Sequence, residues 1–291
     1  MAGAAVTALA GQLQGRRKAM SGQVLDEKRS RPEEEGWLRA IPRPLHGWLV
    51  PVAIAIVWEA VGQFGLVPAS MLPTPSAIVK QFVELIASGE LYKHMSISLY
   101  RAMVGFLLGA GTGLLFGLLT GLNKIAEKTL DPSLQMMWTI PLLSLIPLFI
   151  LWFGIGEFSK VLIISLGAFF PVYVNTFLGI RNVDLKLFEV ARILQYSRLQ
   201  LITKLIIPSA LPNILLGIRL SLGIAWLVLV VAEMMGTSAG IGYMIQDARA
   251  YMRTDVVFVG IIIFAIIGKI SDSGVRLLEK RWLRWRDTFK G

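Results

Sequence analysis

The sequence predicts an all-α membrane protein with about six transmembrane helices, and three observations point to it. Only 16% of the 291 residues are charged while 55% are hydrophobic, whereas a soluble domain carries about a quarter charged residues. Most Lys and Arg lie outside six long apolar stretches. Those cations also divide unevenly between the loops, as they do around membrane spans. A soluble enzyme, a disordered chain and a disulfide-stapled one are disfavoured together, since the chain is apolar and has no cysteine. The excess of 29 Lys and Arg over 19 Asp and Glu suits nucleic acid or an anionic lipid surface. The apolar runs decide for lipid, so no nucleic-acid partner is expected.

A span needs roughly 20 apolar residues to cross about 30 Å of hydrocarbon. Six stretches qualify: Trp48–Val67, Leu99–Leu122, Leu134–Phe153, Val161–Ile180, Leu211–Met235 and Val256–Val275. The first and fifth contain Glu59 and Arg219. Twenty-one cations fall before span one, after spans two and four, and in the tail; five fall on the other side. Cytoplasmic loops carry the excess of Lys and Arg, so both termini are placed in the cytoplasm.

Residues 1–46 are polar and lack an apolar signal core after Arg16–Lys18, which reads as a partly disordered cytoplasmic arm. Residues 47–275 form the transmembrane domain, with a cytoplasmic loop at 181–210. Residues 276–291 are basic, and Leu278, Trp282, Trp285 and Phe289 make one helical stripe. A helix of that kind lies in the cytoplasmic interface against anionic lipid.

Span two places Gly105, Gly109, Gly113, Gly117 and Gly121 at every fourth position. They form a smooth groove suited to close helix packing, within one chain or against a second copy. Span three carries Pro141 and Pro147, each of which removes a backbone hydrogen bond and suits a kinked helix beside a pathway. Arg219, about two turns into span five, is the candidate for contact with an anionic solute or a buried carboxylate. Arg101 and Lys269 lie near span ends and are expected to snorkel. No P-loop, HExxH or G-x-S-x-G occurs. Catalysis, metal binding and a resident cofactor are therefore not expected.

The loop Leu187–Leu220 reads LFEVARILQYSRLQLITKLIIPSALPNILLGIRL. Glu189–Leu194 has a helical pattern, and Pro208 and Pro212 restart the chain into span five. This segment resembles the signature loop of ABC-importer permeases, E-A-A-x3-G-x9-I-x-L-P. Glu189, Val190 and Ala191 stand at the E-A-A places, and Leu205, Ile207 and Pro208 at I-x-L-P. Gln195 replaces the glycine that permits a turn between two short helices, which leaves that turn open to shifting or straightening. LPTPSAIVKQF, SLYRAMVGF, PLFILWFGIGEFSKV and GIGYMIQDAR are similar to the branch importing small oxyanions and sulfonates, most of all to aliphatic-sulfonate and taurine permeases.

The resemblance implies a type I importer permease in a bacterial inner membrane, itself without an ATPase site. It implies a second permease chain, expected to be identical, two cytoplasmic ATP-binding subunits and an extracytoplasmic solute-binding protein. The 181–210 loop would dock on the ATPase, with Ala191 small enough to enter a groove and Glu189 and Arg192 as polar edges. Nitrate, cyanate, bicarbonate or a vitamin precursor remain alternative solutes within the same architecture, and a stand-alone channel or carrier is the alternative outside it.

Overall fold

A computed structural model describes residues 46–283, with side chains from residue 50 onward. The chain divides into two compact units at Ala60/Val61, and helix α1 (His46–Gln63) runs across that boundary. Nine further helices follow: α2 (Pro75–Ala87), α3 (Glu90–Leu122), α4 (Lys124–Trp138), α5 (Ile146–Phe153), α6 (Glu157–Arg181), α7 (Leu185–Ile193), α8 (Arg198–Met234), α9 (Ile241–Ala250) and α10 (Thr254–Trp282). Among the described residues there is no strand.

Among the described residues, four helices are long and apolar enough to cross a membrane: α3, α6, α8 and α10. A fifth crossing requires two helices, because the expected third span is not one kinked helix. It breaks after Trp138 and resumes in a 3-10 turn at Leu142–Leu145 that leads into α5, with an 84° bend between the parts. The two prolines act differently. Pro141 lacks an N–H and pushes Ile140 out of helical geometry, so α4 stops there. Pro147 sits in the first turn of α5, where the missing N–H would be unpaired in any case. The expected first span is α1, whose described apolar part, Val50–Gln63, is shorter than a span. Six full spans are thus not found among the described residues.

The core is a three-helix packing of α3, α6 and α8. The five glycines of α3 meet α6 in rising order on both helices, from Ile164 opposite Gly105 to Ile180 opposite Gly121, so the two run parallel. A Cβ on Gly109 or Gly113 would overlap the carbonyl oxygens of Ser165 and Phe169. The backbones approach to a distance only glycine permits, which is how helices gain packing where lipid supplies no hydrophobic drive. Helix α8 returns antiparallel: Gly179 of α6 faces Ala210 and Asn213, while Gly167 faces Ile224 and Val228. Ile163, Ile164, Ala168, Val228 and Leu229 fill the space between them.

Helix α10 extends unbroken past Val275 to Trp282, so the start of the basic tail continues the last span. Leu278 and Trp282 are exposed on it; Trp285 and Phe289 lie outside the described residues, as does the N-terminal arm before His46.

Candidate functional site

Two constellations stand at opposite ends of α6 and α8. The first is the 181–210 loop. Asp184 caps α7 by accepting the Lys186 N–H at 2.9 Å. The helix ends at Ile193 with Leu194 as its C-cap, and the turn that the sequence left open follows at Gln195. The turn neither shifts nor straightens, because Gln195 itself adopts the left-handed conformation, with φ of 52°. Tyr196 N–H donates to the Ala191 carbonyl at 3.0 Å and Gln195 N–H to that of Arg192 at 3.1 Å. Those two bonds define a Schellman C-cap, with glutamine in glycine's usual place. Ser197 and Gln200 then form a reciprocal capping box that opens α8.

Helix α8 does not restart at the prolines. It runs from Arg198 to Met234 through a π-turn at Ile202–Ile206, immediately before Pro208. The wider turn accommodates the ring and the missing donor.

Ala191 is 3% exposed and lines a groove of about 400 Å³ in the chain's own body, together with Leu187, Tyr196, Leu205 and Pro208. Its side chain is buried at the edge of that groove, and Phe188 of the same helix packs on the cluster of Val183, Ile206 and Ala210. Glu189 and Arg192 are exposed. So are Leu185 at 78%, Ile193 at 81% and Val190, an outward apolar face on a helix of nine residues. Ile207 is partly buried along α8.

The second constellation centres on Arg101, expected to snorkel but only 2% exposed. Its Nε and Nη2 each donate to a Glu157 oxygen at 2.6 Å. Nη1 donates to Glu233 at 2.8 Å and to the Ala239 carbonyl at 2.7 Å. Glu233 also accepts from Gly242 N–H at 2.9 Å, and Ser98 Oγ lies 2.8 Å from both of its oxygens. Ile241 N–H donates back to Ser98 Oγ, and Gly240 N–H donates to His94 Nδ1 at 3.0 Å. That donation fixes the His94 acceptor nitrogen.

Three long helices and the 237–242 segment are thus tied at one point, and each buried polar group has a partner, as burial requires. Glu157 and Glu233 were missed in the sequence. The available signal was a second charged residue, the carboxylate at position 233, inside the fifth stretch that already holds Arg219.

The expected pathway residues do not converge. Arg219 donates to Asp272 of α10, which also accepts from Arg276 at 2.8 Å. Arg219 thus meets a carboxylate of its own chain. An apolar cavity of about 290 Å³ sits beside the α4 break, between Trp138, Leu142, Phe170 and Val228. Arg219, Pro141 and Pro147 are not among its lining residues.

Residues 113–284 match the family model described as "Binding-protein-dependent transport system inner membrane component". The SsuC permease protein of Bacillus subtilis, named for aliphatic sulfonates transport, is 60% identical over 256 residues, covering 88% of this chain and 90% of that one. Its Escherichia coli counterpart of the same name is 44% identical over 258 residues, covering 89% and 96%. The taurine transport system permease protein TauC of Escherichia coli is 34% identical over 234 residues, covering 79% and 85%. The residues that the family model matches take in the 181–210 loop, Glu157 and Glu233, while Ser98 and Arg101 lie before them. The chain belongs to the binding-protein-dependent inner-membrane component family: it is a multi-pass permease subunit of an ABC importer, served by ATP-binding subunits that hydrolyse the ATP and by a solute-binding protein.

Proposed function

We propose that this permease imports a short organic sulfonate, an alkanesulfonate or taurine, as one of two identical membrane chains with both termini in the cytoplasm. The observation that carries the solute reading is the 60% identity to an aliphatic-sulfonates permease across 90% of that protein. The cation excess beside the 181–210 loop supports the orientation. In this reading the apolar face of α7 seats on the ATPase subunit. Closure of the ATPase dimer on ATP pulls α7, and α7 moves α8 and α6 with it because Phe188 packs on the cluster that joins Ile180 of α6 to Ile206 and Ala210 of α8. The chain performs no chemistry of its own; it binds, opens and closes.

Uptake of labelled taurine and ethanesulfonate by cells lacking the gene tests this, with nitrate and bicarbonate beside them. Loss of sulfonate uptake alone is expected. Normal sulfonate uptake with a deficit in another anion would overturn the solute while keeping the importer.

A further inference from the structure

We propose that Arg101 is an anion site in the membrane subunit, filled at rest by the Glu157 carboxylate and during passage by the sulfonate group of the solute. This rests on the sulfonate reading above. The two carboxylates on Arg101 are not equivalent. Glu233 is fully enclosed, its side chain 0% exposed, and it belongs to the network of Ser98 and Gly242. The Glu157 side chain is 55% exposed. It borders a cavity of about 300 Å³, lined also by Ser96, Ile97, Tyr100, Arg101 and Ser238. One edge of the guanidinium is therefore committed to the fold, and the other faces an opening through a removable group.

The exchange is chemically balanced. Arg101 presents Nε–H and Nη2–H as a parallel pair, a fork that fits two oxygens of a carboxylate, phosphate or sulfonate alike. One anion replaces another, so the buried guanidinium is never left uncompensated, which would cost several kcal/mol. Lys160 Nζ lies 3.9 Å from the same Glu157 oxygen and supplies a second cation. The displaced carboxylate has somewhere to go. Glu157 is the first residue of α6, follows Gly154 (φ 79°) and Gly156, and remains favourably placed at a helix N-terminus when it swings outward. Because Glu157 opens α6 while Arg181 closes it toward the coupling loop, filling the site changes the restraint on the helix that leads to α7.

The test is a titration of the intact permease–ATPase complex in nanodiscs, without the binding protein, using ethanesulfonate. Glu157→Gln removes the competing charge from an exposed residue and is expected to bind ethanesulfonate at least tenfold more tightly than the parent. Neutral ethanesulfonamide should show no gain, and adding Arg101→Lys to Glu157→Gln should abolish it. Equal ethanesulfonate affinity in parent and Glu157→Gln, with equal melting, would overturn the site. A gain for nitrate without one for ethanesulfonate would leave the Arg101 anion site standing and overturn the sulfonate reading. Normal sulfonate uptake by cells with no gain for any anion would do the reverse.

Discussion

The two ends of the α6–α8 pair are built on opposite plans. At the Arg101 end, charged groups from three helices are folded inward and satisfy one another. At the α7 end, apolar side chains such as Leu185 and Ile193 are left outside. The first end is complete within the chain, apart from the open edge of Glu157. The second leaves its apolar face open. Between them α6 spans 25 residues, about 37 Å at 1.5 Å per residue, and it is locked to α3 through backbone contact along the glycine seam. A packed unit of this kind moves as a body, because close-packed interiors repack between discrete arrangements and do not bend gradually. Under the proposed reading the difference is a division of labour: one end meets the solute, the other meets the ATPase, and the middle is too tight to absorb the motion.

Substitutions at the two ends should therefore fail differently. The largest effect is expected from Glu233→Ala, which leaves the Arg101 guanidinium half-paired in a buried site and should cost about 3–5 kcal/mol. Thermal unfolding in detergent and the yield in membranes would report it. Gly109→Ala should follow at about 3 kcal/mol, since its methyl would meet the Ser165 carbonyl and the seam must part. Unchanged melting there would mean that α3 and α6 slide freely, and the rigid middle would be lost from the comparison. Ile193→Glu is expected to leave melting within about 0.5 kcal/mol, as exposed substitutions do, while abolishing co-purification of the ATPase. Retained ATPase would remove the outward face of α7 from the docking role. The smallest effect is Gln195→Gly, expected to stabilise the α7 cap by about 1 kcal/mol, because glycine tolerates the left-handed turn that glutamine adopts at a cost. Transport should be retained.

Much of the architecture could be read in the chain. The apolar runs located α3, α6, α8 and α10, and the Leu187–Leu220 pattern located the loop between α6 and α8. The five glycines marked a groove, but only the coordinates show that α6 fills it. The errors share a cause. Pro141 and Pro147 look equivalent in sequence, yet a proline breaks a helix only where its N–H was needed, and Pro147 sits in a first turn. Pro208 follows the π-turn and sits where the pitch is already loosened, while Pro212 lies inside the continuing helix. Arg101 looked free to snorkel because its partners, Glu157 and Glu233, are 56 and 132 positions away. Distances of that kind are set by tertiary packing and leave no local periodicity. The burial of Ala191 at the edge of a groove of its own chain was likewise not legible in the sequence.

The π-turn at Ile202–Ile206 carries a geometric consequence. It holds one residue more than the helical pitch calls for, and each residue of an α-helix turns the chain by about 100° for about 1.5 Å of rise. Deleting Thr203 would restore regular pitch and swing everything before it about 100° around the axis of α8, carrying Ala191 off Leu205 and Pro208. The surplus residue thus sets the compass bearing of the α7 arm. Chains that differ by one residue in this stretch would differ less in reach than in heading.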